Sequence, residues 1–206
     1  MSKRLKSKHK ISRRYGANLW GRDNDPSEKR NYIPGQHGPS INRRVASDFG
    51  KQLSAKQMLK GYYGNITEKQ FRNIYKDALK KRGDTSESFI GLLERRLDII
   101  VYRMNFVPTV FAARQFVNHK HILVNGKKVN IPSYRVEEGD VIEVVESSKQ
   151  IPIVIESTET PARAIPEYLD VDLKNRKGKF VRTPSFAEVP YPAKMEVHLV
   201  VEFYSR

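Results

Sequence analysis

The densest chemistry in the 206 residues lies in the stretch "RQFVNHKHILVNGKKVN", Arg114 to Asn130. Arg114, Gln115, Asn118, His119 and Lys120 crowd the end of an amphipathic helical pattern. Asn125-Gly126 then reads as a hairpin turn, followed at once by Lys127 and Lys128. Arg and Lys neutralise phosphates, while amides and imidazole can take ribose hydroxyls. No acidic residue interrupts the stretch. If helix and hairpin pack through Val117, Ile122 and Val124, the polar groups form one L-shaped surface suited to a bent sugar-phosphate backbone.

Charge over the whole chain points the same way. Lys and Arg number 38 against 23 Asp and Glu, a formal net of +15. Residues 1–44 carry +9, residues 45–145 carry +6, and residues 146–206 are neutral. A polyanion should therefore meet the first two thirds of the chain. There is no cysteine, which removes disulfides and thiolate zinc sites. The five histidines show no ligand spacing with carboxylates, so we expect no metal and no cofactor. His119 and His121, two apart, would face the same way on a strand. No run of about eighteen apolar residues exists, so no membrane span is expected. The basic start has no apolar segment after it, so the expected location is the cytoplasm.

The elements that must hold these groups can be read from periodicity. Residues 1–44 lack hydrophobic periodicity and are rich in turn formers, so they read as a basic arm that orders on a partner. Within it, "PGQHG" (Pro34 to Gly38) offers Gln36 and His37 between two glycines that permit close backbone approach. "SDFGKQLSAKQMLKGYYG" can form one or two helices ending at Gly64. Thr67, three before Gln70, has capping-box spacing and opens a helix running toward Gly83. Its inner side is Phe71, Ile74, Tyr75, Ala78 and Leu79; Lys69, Arg72, Lys76 and Lys80 stripe the other side and suit phosphates. "DTSESFIGLLERRLDIIVYRMNF", capped by Asp84, reads as a further helical run with a core stripe. Pro108 ends that pattern and Thr109 starts the next helix, with Val110, Ala113, Phe116 and Val117 inward and Arg114, Gln115 and Asn118 outward. "HILVNGKKVNI" and "VEEGDVIEV" supply an antiparallel sheet. "IPIVIES", "PEYLDVDLKNRKGKFVRTP" and "MEVHLVVEFYSR" all read as strand-like, Val197, Leu199, Val201 and Phe203 alternating.

The expected fold class is α+β. It comprises a basic N-terminal arm (1–45), a helical domain (46–90), a two-helix and antiparallel-sheet RNA-binding module (91–150) and a strand-rich extension (151–206). Nothing suggests an obligate homo-oligomer.

The segments "RRLDIIVYRM", "ARQFVNHKHILVNGKKVNIPSY" and "GDVIEV" resemble the small RNA-binding module named after ribosomal protein S-four. That module also occurs in other RNA-handling proteins. "LSAKQMLKGYYGNITEKQFRNIYKDALKKRG", "PGQHG", "KISRRYG" and "HLVVEFYSR" extend the likeness over nearly the whole chain, to the bacterial ribosomal protein S-four family. The resemblance implies a primary binder of 16S ribosomal RNA that docks at a junction of the 5′ domain early in assembly. It implies proteins S-three and S-five as neighbours near the entrance of the mRNA path, an influence on decoding accuracy, mRNA as a further partner, and repression of its own operon in some bacteria. Carried onto matching positions, RNA contacts would come from Arg13, Arg14, Gln36 and His37. They would also come from the stripe Lys69, Arg72, Lys76 and Lys80, and from Arg96, Arg103, Thr109, Arg114, Gln115, His119, Lys120, Asn125 and Lys127. Arg43, Arg44, Asn118 and Lys128 join the set by charge and placement. Many relatives carry Arg where this chain has Val110 and a small residue where it has Phe111, and some bind zinc through cysteines that are absent here.

Two rival classes predict different behaviour. "RRLD" (Arg95 to Asp98) is similar to the catalytic Arg-Leu-Asp of a pseudouridine synthase family. Asp98 lies within a core stripe, where an ion pair to Arg95 or a Tyr102 neighbour fits better than attack on a base. No residues remain for the catalytic sheet such enzymes need, so no catalytic residue is assigned. The other rival is an RNA chaperone or RNA-modifying factor acting off the ribosome.

Overall fold

The computed structural model describes residue 7, residues 9–40 and residues 47–205. In chain order its helices are α1 (Lys10–Tyr15), α2 (Pro26–Lys29), α3 (Asp48–Tyr62), α4 (Glu68–Leu79), α5 (Thr85–Glu94), α6 (Leu97–Arg103) and α7 (Val110–Asn118). The strands β1 (Ile122–Val124), β2 (Lys127–Val129) and β3 (Val141–Val144) follow, then α8 (Pro152–Glu159), β4 (Leu169–Asp172), β5 (Lys177–Phe180) and α9 (Val197–Ser205). The class is α+β, as expected. The chain divides into two compact units, Met1–Lys76 with Pro190–Arg206, and Asp77–Val189.

In the first unit, α3 starts at Ser47, whose hydroxyl accepts from the Gly50 amide. Its buried stripe mixes Gln52 and Lys56 with Leu59 and Tyr62, so apolar periodicity alone marks it poorly. The partner of that stripe is α9. Gln52 donates to Glu202 at 3.0 Å, and Lys56 Nζ lies 4.2 Å from the Phe203 ring centroid. These contacts overturn the strand reading of "MEVHLVVEFYSR". Residues 202, 203 and 204 all engage neighbours, and Val197 and Val200, three apart, are buried. Short apolar runs do not separate helix from strand by pattern.

Residues 9–40 hold more structure than a featureless arm. Leu19 and Trp20 are buried, and Trp20 donates its ring N–H to the Tyr62 carbonyl. Asp25, also buried, caps α2 by accepting from the Ser27 amide and hydroxyl. Two large apolar side chains and one cap suffice to anchor a segment that shows no period.

In the second unit, the expected single helical run from Asp84 is two helices. Asp84 caps α5 through the Ser86 amide. At Arg96 the backbone turns extended (φ −71°, ψ 135°) before α6 begins. The break is held from outside: Leu97 and Asp98 donate their amides to the carbonyls of Tyr134 and Pro132, and Val136 donates to Arg95. The kink was invisible because every residue across it is compatible with a helix, and all but the half-buried Arg95 are buried. Thr109 caps α7 as anticipated, its hydroxyl accepting from the Ala112 amide. Arg163 braces the bend before α7 by donating to the carbonyls of Tyr102, Val107 and Pro108.

The sheet has order β2-β1-β3-β5-β4, antiparallel throughout. Ile122 pairs with Val144 and Val124 with Ile142, so four inward side chains share one face. "IPIVIES" is helix α8 rather than a strand, started by Pro152 at its first turn.

Candidate nucleic-acid interface

A set of exposed polar groups runs from α7 through a tight turn into β1 and β2. The turn is defined by two amides: Lys120 donates to Val117, and His121 to Phe116. Lys120 takes a left-handed conformation (φ 64°), which ends the helix and throws its side chain outward. Val117, Ile122 and Val124 are all buried, as the packing of helix and hairpin requires. Gln115, Asn118, His119 and Lys120 are exposed on one side of this frame; Lys127 and Lys128 are exposed at its far end. At about 3.3 Å per strand residue, His121 and Asn125 are roughly 13 Å apart, so the set spans several nucleotides rather than one.

Three of the expected arginine contacts are placed inside instead. Arg96 is 2% exposed, and its guanidinium makes two bonds to Asp98, at 3.0 and 2.7 Å. That also corrects the expected partner of Asp98, which is neither Arg95 nor a neighbour of Tyr102. Arg103 is 3% exposed and makes a two-bond pair with Glu94. Arg114 is 8% exposed, not outward-facing. It lies one turn from Val110 and between Ala113 and Val117, on a nine-residue helix whose buried face is broad. The guanidinium groups of Arg96 and Arg103 are committed to buried carboxylates within the frame.

Other expected contacts are partly committed within the protein. Asn125, left-handed at φ 49°, donates to Asp140 at 2.7 Å and accepts from the Val141 amide at 2.9 Å. Its amide therefore locks the hairpin turn to β3. Thr109 is spent on its cap. Lys80 lies beyond the end of α4 and pairs with Asp77 at 3.5 Å, both at the surface. Arg13 is half-buried, its guanidinium 4.8 Å from the Tyr32 ring centroid and donating to the Tyr32 carbonyl. Arg43 and Arg44 lie outside the described residues.

The first unit carries its own exposed groups: Arg14, Gln36, His37, Lys69, Arg72 and Lys76. The glycines around Gln36 and His37 are explained internally. Gly35 has φ +125°, and a Cβ on Gly38 would stand 1.7 Å from the Ile33 carbonyl oxygen. They make a turn that leaves the two polar side chains outside. Glu68 is off the stripe on α4, engaged by Lys56, Lys60 and Tyr204.

His119 ends the helix, as its place in the sequence pattern suggested, and the strand-like alignment considered for His119 and His121 does not occur, since His121 precedes β1. Their rings are nevertheless 5.9 Å apart, and His121 tilts against Phe116 at 4.7 Å. Its Nδ1 pairs with the Ser148 hydroxyl at 2.8 Å. Burial, and then the neighbouring His119, push the His121 pKa down from 6.5. Both effects favour the uncharged ring. An aromatic residue next to two histidines in "RQFVNHKH" was the available signal. Among the described residues no group of acidic, histidine or cysteine side chains could hold a metal ion, and no helix is long and apolar enough to cross a membrane.

An α+β frame presenting basic, amide and imidazole groups from a helix and an adjoining hairpin has the chemistry that a sugar-phosphate backbone requires. The comparisons narrow the reading. The description "Ribosomal protein S4/S9 N-terminal domain" matches residues 3–94, and "S4 domain" matches residues 95–142. The chain is 62% identical to the small ribosomal subunit protein uS4 of Parvibaculum lavamentivorans, 61% to that of Gluconobacter oxydans and 60% to that of Dinoroseobacter shibae. Each alignment covers 206 residues and all of both chains. The chain belongs to the ribosomal protein S4 family, whose members are structural proteins of the small ribosomal subunit and not enzymes.

Proposed function

We propose that this protein is a constituent of the small ribosomal subunit, and hence of the cytoplasmic ribosome, and that it acts by gripping folded 16S ribosomal RNA through its backbone. The observation that carries this is the exposed run on α7, its terminal turn and β2, free of any carboxylate between Arg114 and Asn130. Eight exposed cations, Arg14, Lys69, Arg72, Lys76, Lys80, Lys120, Lys127 and Lys128, supply phosphate neutralisation. Gln36, His37, Gln115, Asn118 and His119 supply hydrogen bonds for ribose 2′-hydroxyls, which DNA lacks. Binding early at the 5′-domain junction, neighbours S-three and S-five, an effect on decoding accuracy, contact with mRNA and repression of its own operon belong to the same reading.

The test is binding to 16S 5′-domain RNA and to duplex DNA of equal length across a salt series. Eight phosphate contacts give a slope of log affinity against log salt on the order of −6. RNA should win at moderate salt, and Lys120→Ala or Lys127→Ala should reduce the slope by about one each. A slope near zero, or equal affinity for DNA, would overturn the proposal.

A further inference from the structure

Beside the end of α7 lies a cavity of about 200 Å³, lined by Phe116, Gln115, His119, His121, Ile151 and Ile153 together with Val107 and Ala112. It is smaller than the roughly 300–1,000 Å³ of pockets that enclose drug-sized ligands. Its lining has no carboxylate, lysine or arginine. It offers one phenyl and two imidazole rings, aliphatic side chains and a single exposed amide. Ile153 is left 38% exposed at its rim.

We infer that this cavity receives one unpaired nucleobase, turned out of the RNA whose backbone is held by the neighbouring basic groups. The inference rests on the RNA-binding reading and deepens it. Three observations select this occupant. Gln115 and His119 belong at once to the cavity wall and to the exposed polar run, so a ligand in the cavity is continuous with the backbone path. Lys120 follows His119 directly and can hold the phosphate of the nucleotide whose base is inserted. Phe116 and His121, 4.7 Å between ring centroids and tilted 31° from one another, form an aromatic wall, and the lowered pKa of His121 favours the uncharged ring, which packs against a base without a desolvated charge. A charged small molecule would find no counter-ion in the lining. An apolar peptide side chain would leave the Gln115 amide unused.

Stacking contributes to affinity without reading a particular base, because every base has a π-face. The Gln115 amide at the rim can bond to a base edge, and that bond is the source of any preference among the four.

The experiment uses the full chain bound to 16S 5′-domain RNA. Backbone protection from hydroxyl radicals and base protection from reagents that attack the pairing edge are mapped on the same complex. Photo-crosslinking followed by peptide mapping locates the contact on the protein. The wild-type protein should protect one unpaired base and crosslink it to the peptide holding Phe116 to His121. Ile153→Trp, which fills the cavity from its exposed rim, should abolish that base protection and weaken binding about tenfold while the backbone footprint persists. Ile153→Ala should leave the base protection in place. The inference is overturned if wild-type protein shows the backbone footprint with no base protected, or if Ile153→Trp changes neither protection nor affinity. Absence of the backbone footprint itself would sink the RNA-binding reading as well, so the two failures are distinguishable.

Discussion

Arg103 and Glu94 face each other in the interior of the second unit, with the Nε and Nη2 of the arginine each 3.0 Å from a carboxylate oxygen. Tyr168 donates its hydroxyl to the same carboxylate at 2.8 Å, so all three polar groups are satisfied together. Removing the arginine strands a carboxylate that is 0% exposed. Arg103→Ala should cost about 3–5 kcal/mol of unfolding free energy, read from the urea midpoint. At equal folded fraction its RNA affinity should match that of the wild type. A loss of affinity without loss of stability would return Arg103 to the interface.

Lys120 combines two roles that a single substitution separates. Its φ of 64° is unfavourable for any side chain with a Cβ, whereas glycine adopts it freely. Lys120→Gly should therefore raise stability by about 0.5–1 kcal/mol in thermal or urea unfolding. The same variant loses a phosphate-neutralising charge and should bind RNA several-fold more weakly. A substitution that stabilises the protein and weakens its binding identifies a residue kept for its ligand.

Asn125 behaves in the opposite way. Its amide bridges Asp140 and the Val141 N–H while its backbone is left-handed. Asn125→Ala loses both bonds and keeps the strained conformation, at about 2 kcal/mol. The loss should register as faster hydrogen exchange at the β1–β2 turn and the start of β3. Lys127→Ala, two residues on and exposed, should weaken RNA binding with no change in that exchange.

Glu68 sets an acid limit on the first unit. Burial pushes its carboxyl up, but hydrogen bonds from Tyr204, Lys56 and Lys60 together outweigh burial and hold it below its usual 4.5. A carboxylate depressed on folding contributes stability that is present above its unfolded value and lost as pH falls through the folded one. The unfolding midpoint should hold from neutral pH down to about 4.5, then fall as acid protonates Glu68. Glu68→Gln should lower the midpoint at neutral pH and flatten that acid limb. An unchanged limb would mean the contacts among α3, α4 and α9 do not depend on this charge.

Local chemistry was enough to find much of the frame. Asp84 and Thr109 caps, the Asn125-Gly126 hairpin, the basic stripe from Lys69 to Lys76 and the exposed run from Gln115 to Lys128 depend on neighbours within a few residues. A sequence states those directly. Helix α9 was misread because alternation over nine residues fits a strand as well as a helix; α3, 150 residues away between Gln52 and Glu202, decides which.

The sequence by itself therefore determined the sign and placement of charge and the α+β class, since composition and short-range spacing carry them. Only the tertiary structure decided which arginines meet solvent. Arg96, Arg103 and Arg114 look like ligands when written in one dimension, yet two find buried carboxylates at Asp98 and Glu94, and the third is folded into the packed side of α7. The cavity beside Phe116 and His121 was likewise hidden, because its wall from Ile151 to Ile153 arrives thirty residues later in the chain. Desolvation is a property of the packed interior, and no residue carries it alone.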